Sequence, residues 1–153
     1  MEKSIENVCG EAQEFLTALV GEMGLDLSVT SRVTNEGCLL DLSGEDSGYA
    51  LSENAELLDA FETVLFQIFG REIERDQRII CDAEGFRQAR KSELYAMARF
   101  AGNQVRKSGM PFTFGILNST ERRVIHTALQ ADEDLMSESV GVGRDRRLQV
   151  RLK

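Results

Sequence analysis

The sequence predicts an α+β protein of two small units, each mixing helices with a few short strands. Three observations predict it. Apolar residues recur at helical spacing in four separated segments, alternating or β-branched runs lie between them, and glycine or asparagine marks most of the junctions. At 153 residues the chain is long enough for one ordinary domain or two small ones.

Ile5, Val8, Ala12, Phe15, Leu16, Leu19 and Met23 recur on one side of a helix that Gly24 ends. Leu27, Val29, Ser31 and Val33 alternate, as do Cys38, Leu40 and Leu42, with Asn35-Glu36-Gly37 between them, which predicts a β-hairpin. A glycine-containing loop, residues 43–48, leads to a second helix over about 52–69, carried by Leu57, Leu58, Phe61, Val64, Leu65, Ile68 and Phe69. Residues 77–81 read as a third strand. The first half is therefore α-β-β-α-β. Phe86, Arg90, Leu94, Ala98, Ala101 and Val105 step along a long helix to Ser108, stopped by Gly109 and Pro111. Phe112 to Phe114 is a strand, and Asn118 with Glu121 forms a capping-box pattern that opens a helix to about Gln130. Two last strands, 136–142 and 148–152, flank the turn Gly143-Arg144-Asp145, so the second half is α-β-α-β-β.

Charge divides at the same place. The net charge of −8 hides 5 Lys+Arg against 18 Asp+Glu in residues 1–82, and 13 against 8 in residues 83–153. Such asymmetry points to two surfaces with different partners, and only the second half suits phosphate. The N-terminus lacks the basic flank and apolar core of a signal peptide, and no stretch reaches membrane-spanning length, so no membrane insertion is expected. Cys9, Cys38 and Cys81 lie far apart in sequence and read as buried free thiols of a reducing cytoplasm. One histidine, no clustered cysteines, no phosphate loop and no nucleophile elbow argue against an enzyme. Asp132-Glu133-Asp134 reads as an acidic turn, with no metal and no cofactor expected.

Arg122 and His126 stand one helical turn apart on one face, at the edge of the apolar arc formed by Val124, Ile125, Ala128 and Leu129. A guanidinium fork matches phosphate, and an imidazole beside it donates a hydrogen bond or stacks on a base. Taken alone, the pair reads more readily as an arginine in a structural ion pair and a half-buried packing histidine than as a binding pair. Its company favours binding: Arg123 adjoins it, Arg146 and Arg147 open the last strand, and Arg106 and Lys107 end the long helix.

The segment 121–126, followed by Ser137-Glu138-Ser139-Val140-Gly141-Val142-Gly143 and by Arg146-Arg147, resembles the RxxxH ("R-three-H") nucleic-acid-binding domain. With Gly85-Phe86-Arg87 and Arg90 upstream, residues 26–152 are similar in order to the bacterial Jag family of insertase-associated RNA-binding proteins. The resemblance implies a K-homology (KH)-like domain over residues 1–83 and an RxxxH domain over 84–153. It also implies a single-stranded RNA or DNA ligand, with a second KH protein or self-association as further partners. That family carries a small N-terminal domain for which only the helix of residues 4–23 is found here. It also carries a Gly-x-x-Gly turn, where this chain has Ser52-Glu53-Asn54-Ala55. The carboxylate of Glu53, about 6 Å from a phosphate, would repel it by roughly 3 kcal/mol at an effective dielectric near 20. The expected function is non-catalytic binding of single-stranded nucleic acid, chiefly RNA, through the second half. The alternative is an adaptor whose acidic half docks a protein.

Overall fold

The computed structural model describes residues 3–153, which fall into two compact units, the first ending at Arg87 and the second running Gln88–Lys153. The first contains helix α1 (Ile5–Glu22), strands β1 (Ser28–Thr34) and β2 (Gly37–Ser43), helix α2 (Ser47–Phe69) and strand β3 (Arg78–Ala83). Helix α3 runs from Phe86 to Ser108, and β4 (Phe112–Thr113), α4 (Ser119–Leu129), β5 (Leu135–Val140) and β6 (Arg147–Leu152) complete the second. The mixed class and the order of elements expected from sequence are those observed. No described helix is long and apolar enough to cross a membrane.

In the first unit the strands order β1-β2-β3, with β1 antiparallel and β3 parallel to β2. A parallel neighbour needs a crossover, which α2 supplies. Cys38, Leu40 and Leu42 alternate inward on β2, as do Ile79, Cys81 and Ala83 on β3, against Val8, Ala12 and Leu16 of α1 and Leu58, Phe61 and Leu65 of α2. Each buried leucine or phenylalanine contributes about 1.5–3 kcal/mol. The strand edges are occupied by side chains. The Cys81 N–H donates to Glu62 Oε1 at 2.9 Å and its carbonyl accepts from Arg87 Nε at 3.1 Å, while Val29 O accepts from Gln13 Nε2 at 2.9 Å. Edges so engaged do not pair with a further chain at those points.

Two expectations need correction here. The cysteines are not three free thiols: Cys9 and Cys38 are joined, with Cα atoms 5.4 Å apart, and only Cys81 is free. The reason is docking, since both residues face inward where α1 lies on β2, and a separation of 29 residues carries no local trace of that. The second helix does not begin at 52. Helical structure starts at Ser47, breaks, and resumes, because Ser52 is extended and Glu53, Asn54 and Ala55 lie at φ of 52°, 58° and 61°. Three successive left-handed residues without glycine cost roughly 1–2 kcal/mol each. They are the last three of the four positions that correspond to the Gly-x-x-Gly turn, with Ala55 fully buried.

In the second unit the order is β4-β6-β5, antiparallel throughout. Leu148 and Val150 of β6 face a core with Ile125 and Leu129 of α4 and Leu94, Ala98, Ala101 and Val105 of α3. The strand predicted through Phe114 is recorded only to Thr113, although Phe114 N still donates to Leu148 O at 2.9 Å.

Candidate nucleic-acid interface

Helix α4 is set by its first turn. The Asn118 side chain accepts from the Glu121 N–H at 2.8 Å and Glu121 Oε2 accepts from the Asn118 N–H at 3.1 Å, so the capping box predicted from sequence is complete. Glu121 is nonetheless buried, and its second oxygen takes Arg90 Nε of α3 at 2.8 Å. That hydrogen bond, outweighing partial burial, raises the Arg90 guanidinium above its ordinary pKa. The buried carboxylate thus ties α4 to α3 while it caps α4.

Turning Glu121 inward leaves Arg122 and His126 on the flank of α4 that faces β5. They border an open cleft of about 500 Å³ lined also by Ser119, Arg123, Ser137, Glu138, Ser139, Arg146 and Leu148. Arg122 Nη1 donates to Leu117 O at 2.6 Å, which fixes the guanidinium at the N-terminal end of the helix. Arg122, Arg123 and Arg146 have no carboxylate partner among the described residues, and Glu138, the one acid bordering the cleft, lies 3.7 Å from Arg151. The cleft is therefore electropositive in an acidic chain.

His126 is held at both ring nitrogens. Nδ1 lies 2.6 Å from Ser137 Oγ and Nε2 lies 3.3 Å from Gln130 Nε2. With the Gln130 amide nitrogen as donor, Nε2 accepts, and in that tautomer Nδ1 carries the proton that Ser137 Oγ receives. The serine hydroxyl keeps its own hydrogen to donate into the cleft. The imidazole orients that hydroxyl and has no ring N–H of its own left to offer.

Four of the seven cationic positions singled out in sequence, Arg122, Arg123, His126 and Arg146, meet at this cleft. Three do not. Arg147 follows Arg146, but alternation along β6 sends it to the side opposite Leu148, where Nη1 donates to Arg144 O at 2.8 Å. Arg106 forms a fork with Asp134, at 2.7 and 2.8 Å, and reaches Asp132 at 3.1 Å, so its guanidinium is taken up within the fold. Lys107 is exposed at the end of α3, apart from the cleft lining. Sequence reasoning did not single out Ser119, Ser137, Ser139 and Leu148 as site residues. A signal existed for two of them: hydroxyls at alternate positions, 137 and 139, on the side of β5 that Leu135 commits to the core. Among the described residues no group of acids, cysteines and histidine is placed to hold a metal ion.

The R-three-H domain model matches residues 92–152. A protein named RNA-binding protein KhpB from Clostridium symbiosum is 27% identical over 153 residues, covering 99% of this chain and 69% of that protein. Another of the same name from Bacillus subtilis (strain 168) is 24% identical over 142 residues, covering 92% of this chain and 68% of that one. The second unit thus matches the R-three-H domain, and nearly the whole chain is similar to these two RNA-binding proteins, as the Jag-type resemblance of the sequence implied.

Proposed function

We propose that this chain is a non-catalytic nucleic-acid-binding protein that holds the backbone of single-stranded RNA in the cleft between α4 and β5. The observation that carries the reading is the convergence of three arginines without carboxylate partners on a floor of serine hydroxyls. Guanidinium forks and hydroxyls are donors matched to phosphate oxygens, and they need no particular base. Both relatives bear the name of RNA-binding proteins, which favours this reading over a protein-docking adaptor and favours RNA over DNA. An RNA ligand supports a cytoplasmic setting, where the joined Cys9 and Cys38 would be held as thiols. The acidic first unit contributes little to phosphate binding, since Glu53 stands in the first left-handed position of the turn that would approach the backbone.

Titration with short single-stranded oligonucleotides of about 6 nucleotides tests the reading. Three phosphate contacts give a slope of log affinity on log salt of about −2, at roughly 0.7 per contact on a single strand. Arg122→Ala with His126→Ala should abolish most of the affinity. Undiminished binding by that double variant, with the protein still folded, would show that the cleft is not the site.

A further inference from the structure

Helix α3 carries six cations and one acid, Glu93, where 26 acidic residues in 153 would place about four in a helix of that length. Half of those cations serve the fold. Arg87 pairs with Asp59 and Glu62, Arg90 with Glu93 and Glu121, and Arg106 with Asp132 and Asp134. Lys91, Arg99 and Lys107 have no carboxylate partner among the described residues.

Those three share a row with Tyr95 and Asn103. The five positions step by four, every one of them exposed. Four residues turn about 400°, so each stands about 40° on from the last and the row sweeps about 160° of the helix's outer side over about 24 Å. Lys91 Nζ lies 5.9 Å from the centroid of the Tyr95 ring, so an exposed aromatic stands among cations. A merely solvated helix face in so acidic a chain would interleave both signs at this spacing, as helix-stabilising pairs do. Here the sole acid of the helix is turned to Arg90. Cations that neutralise phosphates, with an aromatic face on which a base can stack, form the arrangement that binds single strands without sequence preference.

We infer that this row on α3 is a second contact for single-stranded nucleic acid, separate from the cleft and engaged only by a strand long enough to occupy both. The inference rests on the nucleic-acid reading of the cleft. It extends the bound length and adds a stacking position, and its residues are absent from the cleft lining.

The test compares wild type, the triple variant Lys91→Gln/Arg99→Gln/Lys107→Gln, Tyr95→Ala and the cleft double variant on RNA oligonucleotides of about 6 and about 20 nucleotides, lengths that bracket common single-strand site sizes. For the longer strand the triple variant should bind more weakly, with a salt slope shallower by about 2. Between about 50 and about 200 mM salt the wild type then loses some eighteenfold more affinity than the variant does. Tyr95→Ala should weaken the longer strand about tenfold through lost stacking. The shorter strand should bind both variants as it binds wild type. All these side chains are exposed, so thermal melts should coincide. An unchanged slope and affinity for the longer strand, with the cleft variant still impaired, overturns this inference and leaves the cleft standing. Equal weakening of the shorter strand also overturns it, by making the row part of one site. Phosphatidylserine vesicles that sediment the wild type but not the triple variant, with RNA affinity intact, would assign the row to a membrane surface instead. A wild type that binds neither oligonucleotide defeats the reading of the cleft and this inference together.

Discussion

Ser137 offers the sharpest test of the cleft, because the hydrogen-bond chain makes it a phosphate donor that a survey of charged residues would pass over. In the tautomer with Gln130 donating to His126 Nε2 and His126 Nδ1 donating to Ser137 Oγ, the serine hydroxyl keeps its own proton at the cleft wall. A hydrogen bond to a charged group is worth about 1.5–3 kcal/mol, which is roughly 10- to 150-fold in dissociation constant. Ser137→Ala should weaken RNA binding within that range. It should also cost about 1 kcal/mol of stability, since the half-buried Nδ1–H loses its acceptor. Ser137→Thr keeps the hydroxyl and suits a strand, so it should bind like wild type. Fluorescence anisotropy with a labelled oligonucleotide, alongside a denaturant melt, separates the two effects. If Ser137→Ala bound RNA as tightly as wild type while losing stability, the hydroxyl would be structural and the donor chain would end at the histidine.

Removing Arg90, as Arg90→Met, leaves the buried Glu121 carboxylate without its cation and should destabilise the protein by about 2–3 kcal/mol; adding Glu121→Gln should recover part of that in a urea melt. Arg106 holds the Asp134 carboxyl below the usual range, a stabilisation present above the ordinary carboxylate pKa and lost as pH falls through the depressed one. The Tm gap between wild type and Arg106→Ala should therefore be widest near neutrality and close in acid, with RNA affinity nearly unchanged. At Glu53 the left-handed backbone costs more than a glycine's extra chain entropy, so Glu53→Gly should gain about 0.5–1 kcal/mol, seen as a Tm rise of about 2 °C. Burial, with Glu62 nearby, pushes the Cys81 thiol up to about 12, so the unreduced native protein should take up no iodoacetamide at neutral pH, and one equivalent once unfolded.

What could be read from the sequence was what depends on near neighbours. Asn118 and Glu121 announce their helix because a capping box is a local event, and Arg122 and His126 share a flank because four residues nearly close a turn. The break in α2 was illegible for the converse reason. Ser52-Glu53-Asn54-Ala55 contains neither glycine nor proline and looks like an ordinary acidic helix start, yet the chain takes three left-handed residues there and buries Ala55 completely. That conformation is imposed from outside the segment. The joined Cys9 and Cys38 are of the same kind, decided by how α1 seats on β2 and by nothing within 29 residues of sequence.

Charge counting misled in proportion to how little it knew of direction. Arg146 and Arg147 are indistinguishable as a dipeptide, but strand alternation gives one to the cleft and the other to the opposite face of the sheet. Arg106 is one of the chain's 18 cations, but two aspartates of the α4–β5 loop consume it. Glu121 counts as an acid within the arginine-rich segment, but it faces away from the phosphate side and bonds inward to Arg90, so it subtracts nothing from the cleft's potential where a ligand would feel it. The binding capacity of the second unit is set less by its net charge than by which cations are left without a carboxylate. By that measure the cleft and the outer row of α3 are places where cations without a carboxylate partner stand together with hydroxyls or an aromatic ring, and a strand of RNA that touched both would find donors at each.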